Sequence, residues 1–210
     1  MVRYIQMIWL ALLLPLAAQH QTIHAHMNPE GRVVTLNLYH FSENRLESKI
    51  SNGHKKLGDM MDRDGEMAGV SIGLGKNGHP KGVHLDVING KISLHDHATD
   101  SSIKVGPYLL RNSSMTGSLD ETLHERRTFL LHDGKSRWIL GYAPVMTRQQ
   151  LAYALDWILK QKKANFVTAI ELTNGLQSGF WVNRGDNLHL YLKELNAAPC
   201  ILSVKLARQN

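Results

Sequence analysis

The sequence predicts an α+β fold, a β-rich single domain with one well-defined long helix. Short apolar runs recur from Met67 onward with turn signals between them, which is typical of a β-rich chain. One amphipathic helix is expected over residues 147–162, before the last strands. Residues 19–210 contain no repeat and no linker, so we expect one folded unit, in which 19–66 form an N-terminal strand and a polar segment.

The composition excludes several classes of protein. The 210 residues include 24 Lys and Arg against 18 Asp and Glu, a formal charge of +6, and 43% are hydrophobic, so the chain is not disordered. The basic residues are scattered instead of forming a stripe, so we expect no nucleic-acid partner. Cys200 is the only cysteine, which excludes an intramolecular disulfide and a multi-cysteine zinc site. The 12 histidines are the unusual feature.

The N-terminus has the pattern of an export signal. Arg3 provides a positive charge, and the apolar run 8–18 is too short to span a bilayer. A buried core helix is the alternative, which Pro15 disfavours. We expect cleavage after Ala18, or alternatively after Ala25. This predicts a periplasmic or secreted protein with no membrane span in its mature form.

The regular elements can be placed in chain order. Residues 32–41 alternate apolar and polar side chains and predict a strand, whereas 42–66 are polar and are compatible with a short helix at 44–50. Thr147 and Gln150 form a capping-box pair at the start of the long helix. The apolar stripe of this helix is Leu151, Leu155, Ile158 and Leu159, and later strands are expected at 165–172, 179–183, 188–192 and 201–206.

The dipeptide Asn89-Gly90 is the sharpest local signal. It lies between two alternating runs, and both of its positions tolerate positive φ, so it predicts a type I′ hairpin. The register expected from a two-residue loop pairs Val87 with Ile92, Leu85 with Leu94, Asp86 with Ser93 and His84 with His95.

The polar side of this hairpin is a candidate metal site. His84, His95 and His97 would share one face with Asp86, and imidazole and carboxylate groups are zinc ligands. A solvated polar face in a His-rich protein is the alternative. No nucleophile elbow, phosphate loop or dinucleotide fingerprint occurs, so the residues alone indicate an exported α+β domain for which no cofactor is expected.

A series of short motifs carries a family resemblance. Gly106-Pro107 opens a strand, Arg127-Thr128 opens another that ends at Asp133-Gly134, and the helix at 147–162 precedes the segment Ala-Ile-Glu-Leu-Thr-Asn-Gly-Leu-Gln-Ser at 169–178. In this order the motifs resemble those of the phosphodiester glycosidase family, found in the lysosomal uncovering enzyme and in exported bacterial proteins. The resemblance spans 67–210 and includes residues 67–71, 76–80 and a closing strand at 199–204.

The sequence departs from the family pattern at positions where a catalytic group is expected. The family signature reads Ala-Leu-x-Leu-Asp-Gly-Gly-x-Ser-Ser/Thr, so Thr173 stands at the Asp position and Asn174 at the first Gly. Met67 replaces a family Asn. A hydroxyl does not ionise near neutral pH, so Thr173 cannot replace a catalytic carboxylate. Glu171, two residues earlier on the strand, is expected about 7 Å away along the same face.

The resemblance implies a set of site residues. Glu171 and Arg127 are the candidate catalytic residues, Arg127 because a guanidinium suits a phosphodiester oxygen. The alternatives are an exposed strand residue for Glu171 and a surface salt-bridge partner for Arg127. The candidate substrate-binding residues are Gly106, Asn174, Gly175 and Ser178, of which the glycines alternatively shape turns and Ser178 alternatively starts a strand.

Three functions compete on this evidence. The first is hydrolysis of a sugar phosphodiester or a related cell-envelope glycan linkage. The second is a degenerate relative that binds such a ligand without cleaving it. The third is metal binding by the three histidines of the hairpin. The matches at Arg127-Thr128 and Gly106-Pro107 favour the first two, and Thr173 and Met67 favour lost or altered catalysis.

Overall fold

The computed structural model describes residues 19–61, 65–73, 82–161, 164–185 and 188–207. The predicted export signal at 1–18 and the 76–80 part of the family resemblance lie outside the described residues. Within the described ranges, no helix combines the length and the apolar character needed to cross a membrane.

Strands make up most of the described chain. In order they are β1 (Gln19–His26), β2 (Val33–Ser42), β3 (Leu46–Lys55), β4 (Glu66–Ile72), β5 (His84–Ile88), β6 (Lys91–His95), β7 (Ile103–Lys104), β8 (Tyr108–Arg111), β9 (Ser114–Met115), β10 (Glu125–His132), β11 (Arg137–Met146), β12 (Thr168–Asn174), β13 (Phe180–Gly185), β14 (Leu188–Leu192) and β15 (Ala198–Leu206). The α-helices are α1 (Leu57–Met61) and α2 (Arg148–Gln161).

The fold is mainly β, so the predicted α+β class is wrong. Of the helices in the described residues, only α2 is longer than seven residues. The polar segment that was compatible with a helix at 44–50 forms β3 instead, and the residues after the predicted export signal form β1, which sequence analysis did not predict. β1 is hydrogen-bonded to β2, the next strand in the chain, whereas β3 is hydrogen-bonded to the distant β15.

Three antiparallel sheets build the part of the chain that the structure describes. Seven strands form the order β1-β2-β11-β10-β12-β8-β9, five form β14-β13-β4-β15-β3, and three form β6-β5-β7. One face of the seven-stranded sheet packs on α2, where Phe129 and Leu131 meet Leu151 and Leu155. The opposite face packs on the five-stranded sheet in a core that includes Leu130, Leu140, Val70 and Leu202. The alternation along β10 therefore divides its side chains between two cores.

The hairpin and the long helix confirm the local predictions. Asn89 and Gly90 have φ values of 51° and 77°, as a type I′ turn requires, and β5 and β6 pair in the predicted register. At the start of α2, the hydroxyl of Thr147 accepts the N–H of Gln150 at 3.1 Å, and the side chain of Gln150 accepts the N–H of Thr147 at 3.0 Å. These reciprocal bonds form the predicted capping box.

Candidate ligand-binding site

Arg127 and Glu171 lie on neighbouring strands and form an ion pair. The pairing of β10 with β12 brings both side chains to the face that α2 covers. Nη1 of Arg127 donates to Oε1 of Glu171, and both side chains are fully buried. The structure thus brings together the two residues that the resemblance named as catalytic, in the interior of the protein.

Arg148, the first residue of α2, completes a buried charge cluster. Its Nε donates to Oε2 of Glu171 at 2.6 Å, so each carboxylate oxygen accepts from a different guanidinium. Arg127 also donates from Nε to the carbonyl of Met146 at 3.0 Å and from Nη2 to the carbonyl of Leu123 at 2.7 Å. The buried charge cluster of Arg127, Glu171 and Arg148 therefore combines two cations with one carboxylate.

A β-bulge separates Glu171 from Thr173. The register of β12 against β10 shifts so that Glu171 faces Phe129, while Thr173 faces Thr128. Cross-strand partners share a face and consecutive residues alternate, so Glu171 and Thr173 point to opposite sides of the sheet. The hydroxyl of Thr128 donates to the backbone carbonyl of Ser71 in the five-stranded sheet, so Thr128 and its cross-strand partner Thr173 face that sheet. The expectation that Glu171 lies along the same face as Thr173 is therefore wrong.

Gly106 packs directly against Glu171. Its N–H donates to the backbone carbonyl of Glu171 at 2.8 Å, and a Cβ at position 106 would lie 2.6 Å from the Cβ of Glu171. No other residue fits without displacing that side chain, which gives Gly106 a packing role. Immediately afterwards the buried Pro107 and the partly exposed Tyr108 line an open groove.

The groove has a volume of about 790 Å³, and basic side chains outnumber acidic ones in its lining. His84 and Lys104 come from β5 and β7, and Arg111 and Tyr108 from β8, while Asp96 is the acidic residue among the lining residues. Three basic side chains therefore face one carboxylate. Such a surface favours an anionic or hydroxyl-rich ligand over a cationic one.

Two contacts hold the side chain of Arg111 in the groove. Its Nη2 donates to Oδ2 of Asp96 at 2.9 Å, and its guanidinium lies 4.7 Å from the ring centre of Tyr108. The Arg111 hydrogen bond holds the pKa of the Asp96 carboxyl below its usual range, and burial, followed by the nearby Asp96 charge, raises the pKa of Tyr108. Because a guanidinium has five N–H donors, this pairing leaves Arg111 able to bind an anion.

One segment connects the groove to the buried charge cluster. Residues 116–124 run from the groove wall to the start of β10. The hydroxyl of Thr116 donates to the carbonyl of Tyr108 at 2.6 Å, and the carbonyl of Asp120 accepts an N–H from the first turn of α2 at 3.2 Å. At its far end, Leu123 accepts from Arg127. The groove wall is thus attached to both α2 and the buried charge cluster.

The remaining predicted substrate-binding residues lie around the end of β12. Asn174 and Gly175 are partly exposed, and Gly175 begins a 3₁₀ turn with a φ of 71°. Ser178 is fully buried, and its hydroxyl donates to the backbone carbonyl of Arg126 at 2.9 Å. Ser178 therefore holds the turn against β10, while Asn174 and Gly175 remain accessible.

The hairpin histidines do not form a metal site. His84 and His95 are cross-strand partners, as predicted, but β6 ends at His95, and His97 lies beyond it at the surface. In the part of the chain that the structure describes, no group of three or more His, Cys, Asp or Glu side chains is arranged to hold a metal ion. His84 contacts the hydroxyl of Ser102 at 3.3 Å instead.

Arg148 and two groove residues, Tyr108 and Arg111, were not among the site residues predicted from the sequence. Arg148 did carry a signal, because a cation in the first turn of a helix opposes the helix dipole and calls for a nearby carboxylate. Tyr108 and Arg111 follow directly after the Gly106-Pro107 motif, but no local pattern marks them. They become a site only when β8 lies beside the β5–β7 sheet.

Comparison with known proteins supports the fold resemblance. No family model and no curated protein matches the sequence. Among solved structures, the chain is similar to the zebrafish N-acetylglucosamine-1-phosphodiester α-N-acetylglucosaminidase catalytic domain, auto-inhibited by its pro-peptide, with a TM-score of 0.60 and 11% identity over 92% of this chain and 83% of that one. It is also similar to a hypothetical protein from Synechocystis, with a TM-score of 0.63 and 9% identity over 90% of this chain and 62% of that one. At these identities the likeness is one of fold: the chain is similar in fold to a phosphodiester glycosidase domain.

Proposed function

We propose that this chain binds a sugar phosphodiester or a related cell-envelope glycan in the groove beside Tyr108 and Arg111, and does not hydrolyse it. The groove supports this proposal because basic side chains outnumber acidic ones in its lining and because it begins at Pro107, directly after Gly106, which the family resemblance names as a candidate substrate-binding residue. A phosphodiester carries one negative charge, and Arg111 presents several N–H donors to such a group. The fold similarity to an N-acetylglucosamine-1-phosphodiester glycosidase domain suggests the ligand class.

The position of the nearest carboxylate is the observation that argues against hydrolysis. Thr173 stands at the signature Asp position, and the nearest acidic residue along β12, Glu171, faces the other side of the sheet. Both oxygens of Glu171 accept from arginines in the interior, so neither is directed at a surface ligand. General acid or base catalysis needs a carboxyl group within hydrogen-bonding reach of the substrate. Glu171 does not meet this requirement. Asp96, the carboxylate among the groove residues, is hydrogen-bonded to Arg111, which lowers the pKa of the Asp96 carboxyl and disfavours the protonated form that a general acid needs.

Calorimetry with an N-acetylglucosamine-1-phosphodiester tests the proposal. We expect saturable binding by the wild-type protein and about tenfold weaker binding by Arg111→Ala, because a charge-assisted bond to the phosphodiester is lost. Arg45→Ala is the matched control, since it removes the same charge from an exposed turn outside the groove. Equal losses in both variants, or no binding by wild type, would contradict the proposed site.

A parallel assay for released N-acetylglucosamine tests the absence of hydrolysis. We expect no turnover by wild type, and none by Thr173→Asp, because position 173 is fully buried and an acid there is unfavourable. Turnover that is lost in Arg111→Ala would show that the groove is a catalytic site. The protein would then be a hydrolase with a carboxylate other than the one at position 171.

A further inference from the structure

His84 is the histidine of the groove and so the lining residue whose charge changes most readily near neutral pH. It begins β5 in the three-stranded sheet, whereas Arg111 belongs to β8 in the seven-stranded sheet, and both side chains line the groove. His84 is half-buried, so part of its side chain is open to solvent. The groove therefore combines a permanent cation from one sheet with a titratable imidazole from another.

The hydrogen bonds of Ser102 determine which ring nitrogen of His84 carries the hydrogen in the neutral form. The Ser102 hydroxyl has one hydrogen, which it donates to the carbonyl of Thr99 at 3.0 Å. Its oxygen accepts the N–H of Thr99 at 2.8 Å and lies 3.3 Å from Nδ1 of His84. Because the hydroxyl hydrogen is already used, Nδ1 is the donor in the contact with Ser102. The neutral His84 ring therefore has its hydrogen on Nδ1 and a lone pair on Nε2.

The protonation of Nε2 decides what the ring of His84 can bind. Within the described residues, Nε2 makes no hydrogen bond. In the neutral ring Nε2 can only accept a hydrogen bond, and the charged oxygens of a phosphodiester also only accept, so the two do not bond. The protonated ring donates from both nitrogens. Its Nε2–H can then form a charge-assisted hydrogen bond to a phosphodiester oxygen while Nδ1 keeps its contact with Ser102.

We propose that His84 is a second phosphate contact of the groove and donates from Nε2 to a bound phosphodiester only when its ring is protonated. This inference rests on the proposed function, because it concerns the same groove and the same class of ligand. It adds a regulation of that site, since ligand binding strengthens as the pH falls. A phosphodiester lacks the second ionisable proton that a phosphomonoester loses near pH 6, so the pH dependence comes from the protein.

The other charged groups that line the groove keep their charge between about pH 5.5 and 7.5. Lys104 and Arg111 remain cationic in this range, and burial keeps Tyr108 neutral by raising its pKa. The hydrogen bond from Arg111 lowers the pKa of Asp96, which stays ionised. His84 is not among the residues that affect the pKa of Asp96, so Asp96 does not take the place of an anionic ligand at the His84 ring.

The titratable neighbours of His84 on the hairpin do not line the groove. His95 is its cross-strand partner on β6, and Nε2 of His95 is buried. On β5 itself, Asp86 is buried and hydrogen-bonded to the loop 99–102. His97 is exposed beyond the end of β6. His97 is therefore the matched control, because its imidazole titrates beside the groove without lining it.

Titration calorimetry of the full chain with an N-acetylglucosamine-1-phosphodiester at about pH 5.5 and 7.5 tests the inference. We expect about fivefold tighter binding at the lower pH, because a charge-assisted hydrogen bond is gained when the His84 ring is protonated. His84→Gln should bind with equal affinity at both pH values, since an amide does not titrate, whereas His97→Gln should keep the fivefold difference. His84→Arg should bind at about pH 7.5 as tightly as wild type does at about pH 5.5, because its charge is permanent.

Proton uptake gives a second readout that needs no change in affinity. Calorimetry at about pH 6.5 in buffers of different ionisation enthalpy should show proton uptake on binding by wild type and by His97→Gln, and none by His84→Gln. Equal affinity of the wild type at both pH values, or a pH dependence that survives in His84→Gln, would overturn the inference and leave the proposed function standing. No binding at either pH would contradict both. Circular dichroism checks the folding of each variant, and the absence of proton uptake by wild type would overturn the inference without any variant.

Discussion

Replacing Glu171 by Gln tests the buried charge cluster most directly. The change keeps the size and shape of the side chain but removes the carboxylate that Arg127 and Arg148 share. The exposed fractions of the Arg127 and Arg148 side chains are 0% and 8%, so water cannot compensate the two charges. Removing one partner of a buried ion pair costs about 3–5 kcal/mol. Domains unfold with a total of about 5–15 kcal/mol, so Glu171→Gln should remove a large share of the stability.

Urea unfolding followed by circular dichroism measures this loss. The matched control is Asp156→Asn, which disrupts the surface pair between Asp156 and Lys160 at 2.6 Å. An i,i+4 helix pair of this kind contributes about 0.3–0.5 kcal/mol, so the two variants should differ about tenfold in their effect. A loss below about 1 kcal/mol for Glu171→Gln would refute the reasoning, because it would equal that of an exposed pair.

A double variant separates the loss of the pair from the burial of an unpaired charge. Arg127→Met combined with Glu171→Gln removes one cation along with the carboxylate and leaves Arg148 at the edge of the cluster. We expect the double variant to lose less stability than the sum of the two single variants, because each single change leaves a charge without its partner. Simple additivity would mean that the side chains act independently.

Three further predictions concern other parts of the chain. Thr173→Val should leave stability unchanged or raise the free energy of unfolding by about 1 kcal/mol, because the buried Thr173 hydroxyl has no hydrogen-bond partner in the described residues. Urea unfolding measures this change, and a loss above about 1 kcal/mol would show that the hydroxyl makes a hydrogen bond after all. Burial raises the pKa of Tyr191 from 10 to about 12, so the phenol deprotonates first in the unfolded chain and the free energy of unfolding should fall as the pH rises from 10 to 12. Melting measured against pH should show a shallower fall for Tyr191→Phe, and an equal slope in both proteins would count against the raised pKa. Mass spectrometry of the exported protein should find a new N-terminus at Gln19, because cleavage after Ala25 would remove nearly all of β1. An intact Met1 on a cytosolic protein would contradict export.

Features that depend on neighbouring residues were predicted well from the sequence. The Asn89-Gly90 hairpin formed in the expected register because the backbone conformation of two residues determines the turn. The start of α2 was predicted because Thr147 and Gln150 are close along the chain and bond reciprocally. In both places the decisive hydrogen bonds join residues that are near one another in sequence.

Features that depend on distant partners were not predicted. The segment of β3 is polar and lacks a clear alternation, and it becomes a strand only because it pairs with β15. The bulge in β12 arises from its register against β10, and no residue in the segment 169–178 predicts it. Its consequence is large, since it decides which face of the sheet Glu171 occupies. A rule based on alternate residues therefore gave the wrong face for Glu171.

The attachment of residues 116–124 explains how a buried cluster can affect a surface site. Thr116 holds one end of this segment to the strand that carries Tyr108, and Arg127 holds the other end through Leu123. Because part of the segment forms the groove wall, a change that frees Arg127 should alter the groove although no atom of the cluster lines it. Arg127 and Glu171 then act as positioning residues. Their substitution should weaken ligand binding in proportion to the loss of order in the segment, whereas Arg111→Ala should weaken binding with the fold intact.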